Sequence, residues 1–340
     1  MASKTQGAAR WLAVWAAALL LLAVIAAAAA WVWLDRALPL AAPSVELSIE
    51  PGTSPRQVAQ AWVEAGVQTS PRLLYQWFRW SGQDRRIRAG SYQIGRGTTP
   101  RQLLDKMVQG DELREKLRLG EGWTWAQVRA ALAAAPHLKP ATQGLGDAEL
   151  LHLLGGAATS IEGRFFPDTY VYSRGVSDLT VLARAHTALQ QRLDAAWQQR
   201  GADTPLRSPE QALILASIVE KETGPKDDPA MIAMVLLNRL RIGMPLQSDP
   251  TVIYGLGEGF DGNLRKRDLQ ADTAYNTYTR AGLPPTPIAL PSAAALQAVV
   301  KPRPGKALYF VARGDGSSEF SDTLPEHNRA VNKYQRQPKP

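Results

Sequence analysis

The 340-residue sequence contains no cysteine, which excludes a disulfide framework, a thiol nucleophile and thiolate metal sites. Glycine-rich phosphate loops and a Gly-x-Ser-x-Gly nucleophile elbow are also absent. Histidine is scarce, and its four copies are scattered without His-x-x-x-His spacing: His137, His152, His186 and His327. We therefore predict no metal centre and no cofactor.

Residues 11–34 lack charge, proline and glycine altogether. The run is 24 residues long, and an α-helix needs only about 20 to cross the hydrocarbon core of a membrane. Its tryptophans lie toward the two ends, as is typical of the headgroup level: Trp11, Trp15, Trp31 and Trp33. The alternative is a cleaved signal peptide, whose apolar region usually has about 7–15 residues. The alanine-rich residues 26–30 fit that alternative.

The charges around this run predict its orientation. Lys4 and Arg10 precede it, whereas Asp35 and Arg36 nearly cancel after it. The positive-inside rule then predicts a short cytoplasmic tail over residues 1–10 and a single-pass inner-membrane protein with the bulk of the chain in the periplasm. The net charge of +8 favours anionic partners, and this location disfavours nucleic acid among them.

After a linker at residues 35–44, the pattern Gly-x-Ser/Thr-x-x-Gln-apolar starts at Gly52 and Gly97, with a looser copy at Gly122. In each copy the hydroxyl residue can cap a helix and the glutamine can complete a capping box. Alternating runs at 45–49 and 91–94 precede the first two copies and predict strands. We interpret residues 45–130 as a small α+β module, either a spacer or a glycan-binding module.

Helices dominate the predicted catalytic domain at residues 145–340. An apolar stripe predicts a helix over 179–200. A second helix starts at Ser208, and Gln211 is placed to complete its capping box. Apolar residues cover nearly the whole circumference of this helix, which predicts that it is buried. Residues 307–320 indicate a hairpin.

Glu222 is the last residue of the predicted buried helix. The partial negative charge of a helix C-terminus and partial burial both favour a protonated carboxyl group. Glu220 is a second acidic neighbour, although on a different helix face. An acid with a raised pKa can protonate a glycosidic oxygen near neutral pH. The alternative is a solvated helix end.

Residues 246–285 are dense in polar and aromatic side chains that contact sugars and amides. Residues 272–279 show neither a helical nor a strand stripe, and the prolines of 282–287 indicate a rigid extended wall. Such loops are typical of a groove for a carbohydrate polymer. The candidate substrate-binding residues are Gln247, Asp249, Tyr254, Tyr275, Asn276 and Tyr278.

Long stretches closely resemble the endolytic murein transglycosylase MltG (YceG-like) family: residues 161–170, 215–223, 238–244, 246–255, 274–278 and 282–285. The resemblance extends from the N-terminal span to His327 and Asn328, and is weakest over residues 132–158. It implies an α+β fold class with a single transmembrane helix, a LysM-like module and a mainly helical, lysozyme-like catalytic domain.

The resemblance also implies a reaction. The family cleaves nascent peptidoglycan strands internally, between MurNAc and GlcNAc, and leaves a 1,6-anhydroMurNAc end, which terminates strand elongation. Its catalytic glutamate is the second of the Glu-Lys-Glu-Thr pair, which is Glu222, although spacing alone does not exclude Glu220. Ordinary glycosidases use two carboxylates, but here the sugar's own C6 hydroxyl attacks, so one suffices.

Several points stay open in the sequence. Glu162 is a second acidic candidate that can contact substrate, cap a helix or form a salt bridge. The alternatives for the whole chain are a muramidase-type hydrolase and a non-catalytic wall-binding scaffold. The expected partners are glycan strands, the inner membrane and peptidoglycan synthases.

Overall fold

The computed structural model describes residues 2–155 and 159–336. Residue 1 of the predicted tail, and residues 156–158 and 337–340 of the predicted catalytic domain, lie outside the described residues. The chain forms two compact units. The first runs through Glu115 and takes in Ser173–Gly175, and the second comprises Lys116–Tyr172 and the chain from Val176 onward.

The first unit combines helices with one small sheet. Its elements are α1 (Ala2–Asp35), β1 (Ser44–Ile49), α2 (Pro55–Ala65), α3 (Pro71–Trp80), β2 (Gly90–Gly95) and α4 (Pro100–Gln109). The two predicted strands are confirmed and pair antiparallel, with Val45 opposite Ile94. Both of these side chains are buried, and they pack in a core with Trp62, Phe78 and Leu103.

Both predicted capping boxes of the first unit are confirmed. The Ser54 hydroxyl accepts from the Gln57 backbone N–H at 3.4 Å, and the Gln57 side-chain oxygen accepts from the Ser54 backbone N–H at 2.9 Å. Thr99 and Gln102 repeat this arrangement at 3.3 and 3.0 Å. Such a cap contributes about 1 kcal/mol to stability, and the pairs fix where α2 and α4 begin.

Helix α1 contains the predicted apolar run. Its segment Val14–Asp35 is long and apolar enough to cross a membrane. Near its C-terminal end Leu34 is buried, and Asp35 forms an ion pair of 2.8 Å with Arg101 of α4. The helix end is therefore attached to the folded part of the first unit.

The later elements are mainly helical. In chain order they are β3 (Arg114–Arg118), α5 (Trp125–Ala134), α6 (Asp147–Leu153), β4 (Thr169–Ser173), α7 (Asp178–Gln198), α8 (Pro209–Glu222), α9 (Pro229–Arg241), α10 (Asp249–Leu256), α11 (Lys266–Gln270), α12 (Ala293–Val300), β5 (Tyr309–Ala312), β6 (Ser318–Ser321) and α13 (Leu324–Val331). Strands β3 and β4 form one two-stranded sheet, and β5 and β6 form the predicted hairpin.

Helix α8 lies at the centre of the second unit. It packs against α7, α9, α10 and α12, and every residue from Ala212 to Val219 is buried. This explains why its sequence shows no polar stripe. Ser208 caps the helix as predicted, at 3.2 Å from the Gln211 N–H. The Gln211 side chain instead accepts from the Arg207 N–H at 2.8 Å, so the predicted capping box is not completed.

Helix α5 belongs to the second unit, whereas the predicted module of residues 45–130 included most of it. The first unit ends at Glu115 because the apolar face of α5 packs elsewhere. Its Trp125 and Val128 lie in a core with Phe165 and Leu182. A capping pattern marks where a helix begins, but the contacts of its apolar face decide which unit it joins.

Candidate active site

Glu222 is the last residue of α8 and is half-buried. The helix ends in a compact turn in which the Thr223 hydroxyl donates to the Val219 carbonyl at 2.6 Å. Gly224 follows, and a β-carbon there would lie 2.9 Å from the Gly316 carbonyl oxygen. Only glycine therefore permits the hairpin turn to approach the helix end this closely.

Asp227 fastens the β5–β6 hairpin to the segment after Glu222. Its carboxylate accepts from the Ser318 N–H at 2.7 Å and from the Ser318 hydroxyl at 2.9 Å. The Lys226 N–H donates to the Gly316 carbonyl at 3.0 Å. These bonds hold the chain on the C-terminal side of Glu222 in one conformation.

The surroundings of Glu222 favour a protonated carboxyl group at neutral pH. Burial raises its pKa to about 7, and the nearby negative charge of Asp249 acts in the same direction. The Ser248 hydroxyl donates to Glu222 Oε1 at 2.6 Å and lowers the pKa, as does the positive charge of Arg239. A pKa near the working pH suits a group that must both give and take a proton.

Glu220 has a different environment. Its Oε2 accepts from the Ser292 N–H at 2.9 Å, at the start of α12. A carboxylate at a helix N-terminus satisfies a backbone donor that has no partner within the helix. The structure thus gives Glu220 a bond that holds α12, and leaves Glu222 as the acid beside the candidate binding residues.

Ser248 is a site residue that the sequence reasoning did not single out. It occupies the N-cap position of α10 and is almost fully buried. Its hydroxyl accepts no capping bond from the helix backbone, and it donates to Glu222. The sequence Ser-Asp-Pro reads as an ordinary helix start, so no local signal separates this serine from a structural cap.

Two chain segments that hold predicted binding residues meet beside Glu222. The Gln247 N–H donates to the Thr277 carbonyl at 3.0 Å, and the Ser248 N–H donates to the Thr277 hydroxyl at 3.0 Å. The Tyr278 hydroxyl donates to Asp249 Oδ1 at 2.5 Å. Residues 247–249 and 276–278 therefore form one joined surface.

Gln247 stands out within that surface. Its φ of +51° is left-handed, a conformation that side chains other than those of glycine and asparagine adopt at some energetic cost. The bond from its backbone to Thr277 holds this conformation, while the side chain remains exposed. An exposed amide on a strained backbone beside an acid is typical of a ligand contact.

Asn276 differs from its neighbours because it is fully buried. Its amide nitrogen donates to the carbonyls of Leu269 at 3.0 Å and Ala271 at 2.6 Å, and its Oδ1 accepts from the Tyr278 N–H at 2.9 Å. These bonds occupy the side chain in joining the end of α11 to residues 276–278. The structure thus gives Asn276 a supporting position, whereas the sequence predicted a substrate contact.

Glu162 is also buried, with 4% of its surface exposed. Its carboxylate accepts from the Trp125 N–H at 3.0 Å, the Gly163 N–H at 3.1 Å and the Tyr254 hydroxyl at 3.2 Å. Burial raises its pKa, while these donors lower it. This geometry matches the capping alternative, because the carboxylate holds the first turn of α5.

Tyr254 connects Glu162 to the aromatic part of the site. Its ring meets that of Tyr275 edge-on at a centroid distance of 4.9 Å. The Tyr275 hydroxyl lies 2.8 Å from the Thr286 hydroxyl, within the proline-rich segment. The predicted tyrosines thus form two groups, one through Asp249 and Tyr278 and one through Tyr254 and Tyr275.

A family model for the YceG-like family matches residues 47–333. The chain belongs to the YceG-like family. It is 29% identical over 308 residues to the endolytic murein transglycosylase of Bacillus subtilis (strain 168), covering 86% of this chain and 85% of that protein. It is 26% identical over 334 residues to the endolytic murein transglycosylase of Streptococcus pneumoniae strain D39, covering 88% of this chain and 60% of that protein.

A solved YceG-like structure gives the same result for the fold. The crystal structure of a yceG-like protein from Listeria monocytogenes superimposes with a TM-score of 0.54 at 27% identity, covering 84% of this chain and 98% of that chain. The resemblance predicted from the sequence motifs is therefore confirmed. The mixed helix-and-sheet architecture is that of the YceG-like fold.

Replacing Ser248 with alanine is expected to move the alkaline limb of the pH–activity profile to higher pH. As the predicted general acid, Glu222 donates a proton only below its pKa of about 7, so activity is expected to fall as the pH rises through that value. The serine hydroxyl stabilises the ionised form, so its loss raises the pKa further. The measurement is initial cleavage rate against pH.

Ser208→Ala is the matched control, because it removes a serine cap at the other end of α8. That variant should lose stability without any shift of the alkaline limb. An unshifted limb in Ser248→Ala would show that the serine does not control the ionisation of Glu222.

Proposed function

We propose that this chain is an endolytic lytic transglycosylase that cleaves peptidoglycan glycan strands between MurNAc and GlcNAc. The observation that carries the proposal is Glu222, a half-buried acid with a pKa of about 7 next to an exposed polar and aromatic surface. Family membership supports it, since two relatives bear the name endolytic murein transglycosylase.

Glu222 performs both proton transfers in the proposed reaction. Its carboxyl group donates a proton to the glycosidic oxygen, and the bond from that oxygen to C1 of the muramic sugar breaks. The C6 hydroxyl of the same sugar then attacks C1, and the Glu222 carboxylate takes the hydroxyl proton. The products are a 1,6-anhydroMurNAc end and a free GlcNAc end, and the acid returns to its starting state without a protein nucleophile.

The remaining predicted residues divide by exposure. We assign substrate contacts to Gln247, Asp249 and Tyr278, which adjoin Glu222 through Ser248. Tyr254 and Tyr275 provide the aromatic wall, since sugar rings stack on aromatic faces. Two buried residues act as positioning residues: Asn276 supports the loop of Tyr278, and Glu162 holds the Tyr254 hydroxyl.

The product of digestion tests the reaction. Mass spectrometry of glycan treated with the enzyme is expected to find anhydro ends, which are lighter than hydrolysed ends by one water, on fragments of several disaccharides. Reducing ends would identify a muramidase-type hydrolase, and intact strands would identify a binding scaffold. Single terminal disaccharides as the main product would overturn the endolytic assignment.

We further propose a single-pass inner-membrane topology, with residues 1–10 in the cytoplasm, residues 11–34 in the membrane and the rest of the chain in the periplasm. The length of α1 and the positive charges before its apolar run support this topology. The part of the first unit that follows α1 is then the LysM-like module predicted for residues 45–130, and the second unit contains the lysozyme-like catalytic domain predicted for residues 145–340. Strand termination places the enzyme near peptidoglycan synthases, which are its proposed partners.

Protease treatment of spheroplasts is expected to digest the chain that follows α1 and leave a small fragment that contains α1. The physical reason is that residues 11–34 bury their apolar side chains in the bilayer and carry positive charge on the cytoplasmic side. Intact cells should show no digestion. Protection of the whole chain in spheroplasts, or a mature protein that begins near residue 31, would contradict this topology.

A further inference from the structure

Helix α3 has more apolar surface than the core of the first unit uses. Its Leu74 and Phe78 are fully buried, whereas Leu73 and Trp80 remain 47% and 75% exposed, with Trp77 half-buried beside them. A single exposed apolar side chain is ordinary. Adjoining large apolar side chains along one helix face indicate a contact surface.

This face lies alongside α1. A groove of about 480 Å³ lies between the two helices. Its lining residues are Leu73, Gln76, Trp77 and Trp80 of α3 and Ala26, Ala29, Ala30, Trp33 and Leu34 of α1. At about 1.5 Å per residue, Ala26 lies roughly 12 Å before Leu34 along the helix axis. Leu73 and Trp80 are therefore level with the last turns of the apolar run, not with the chain that follows it.

Contacts of Arg101 fix the position of α3 along the axis of α1. The Arg101 guanidinium bonds Asp35 at 2.8 Å and lies 4.6 Å from the ring centroid of Trp31 and 5.5 Å from that of Trp77. One arginine of α4 thus holds both the end of α1 and the apolar face of α3. If α1 crosses the bilayer, the face of α3 beside it must meet the bilayer surface.

A cationic surface adjoins the apolar one. A second, open groove of about 990 Å³ is lined by Arg56 of α2 and by Arg72, Tyr75, Arg79 and Trp80 of α3, among others. Across the part of the chain that the structure describes, none of these three arginines forms an ion pair. Trp80 lines both grooves, so the apolar and cationic surfaces are continuous.

We propose that this face of α3 docks onto the membrane surface, with Leu73 and Trp80 in the acyl–headgroup boundary and the arginines on anionic phospholipid phosphates. Apolar and aromatic residues flanked by arginine are the composition of interfacial helices. Guanidinium groups bind phosphate in bidentate geometry, and each cation near an anionic surface adds to binding. The inference rests on the proposed membrane topology.

The absence of cysteine makes single-site labelling possible in the full chain. Leu73→Cys and Trp80→Cys, each carrying a nitroxide spin label, are reconstituted into bilayers containing phosphatidylglycerol. Both labels are expected to collide more with oxygen than with an aqueous nickel chelate. The matched control is Ile242→Cys, which replaces a residue of the second unit that is 62% exposed and should show the opposite order.

A label at Leu22→Cys tests the membrane topology separately from the docking of α3 on the membrane surface. If residue 22 is in the hydrocarbon and residues 73 and 80 are as aqueous as residue 242, the docking surface is refuted and the topology stands. If residue 22 is itself aqueous, the topology fails and the docking surface fails with it. If residue 80 is aqueous in bilayers but is shielded by soluble glycan strands, the surface is a glycan site and the lipid assignment is overturned.

A separate experiment tests whether the arginines contact anionic headgroups. Arg72→Gln together with Arg79→Gln, in the Leu73→Cys background, is expected to raise the nickel accessibility of the label several-fold in phosphatidylglycerol bilayers. Arg200→Gln is the control, because that side chain is exposed in the second unit and should change nothing. An accessibility that is unaffected by the double substitution would remove anionic headgroups from the proposal.

Discussion

Replacing Glu222 with glutamine is expected to reduce strand cleavage by about 10²–10⁴-fold, the usual contribution of a general acid–base group. The amide keeps the shape of the side chain and can still meet the Ser248 hydroxyl at Oε1. It can neither donate a proton to the glycosidic oxygen nor take one from the C6 hydroxyl. Release of fragments from purified glycan is the measurement.

Glu220→Gln is the control for this experiment, two residues away on the same helix. Its side-chain oxygen can still accept from the Ser292 N–H, so we expect cleavage close to that of the unchanged enzyme. Circular dichroism should show both variants folded. The reverse outcome, with Glu220→Gln inactive and Glu222→Gln active, would move the acid to the other glutamate.

Replacing Glu162 with alanine is expected to destabilise the second unit by about 2–4 kcal/mol, because it leaves the Trp125 and Gly163 N–H groups without their acceptor in a buried position. For a unit of this size, that corresponds to a fall in melting temperature of about 4–16 °C. Calorimetry of the full chain measures it.

Tyr254→Phe is the control for Glu162, since it removes one of the donors and keeps the ring packed on Tyr275. We expect a loss of about 1 kcal/mol. Cleavage below the melting temperature should survive in both variants at a reduced rate. An unchanged melting temperature combined with complete loss of cleavage in Glu162→Ala would instead identify a direct substrate contact.

The features that the sequence predicted correctly have causes that are local in the chain. The starts of α2 and α4 follow from Ser54 and Thr99, because a cap and its glutamine are three residues apart. The burial of α8 follows from an apolar run without a polar stripe. The catalytic role of Glu222 stays a prediction, which the helix end and the family motif both indicate.

The features that the sequence missed depend on contacts between distant residues. Ser248 reads as a cap, and its bond to a glutamate 26 residues earlier appears only in the fold. Asn276 reads as a polar loop residue, yet its side chain forms hydrogen bonds with four backbone groups. In Glu162 the same residue type fits a catalytic or a capping role, and only its distances to Trp125 and Tyr254 separate them.

The hydrogen bonds between Asp227 and Ser318 have a consequence for the order in which the chain folds. The partner of this carboxylate is Ser318, 91 residues farther along the chain. Ribosomes and translocation channels deliver the N-terminal part first, so α8 emerges long before the hairpin that fixes its end. Until residues 309–321 arrive, the loop after Glu222 lacks these bonds, and Glu222 is held only by its own helix and by the Ser248 hydroxyl. A chain that stops before the hairpin would therefore lack the bonds from Ser318 that hold the loop after Glu222.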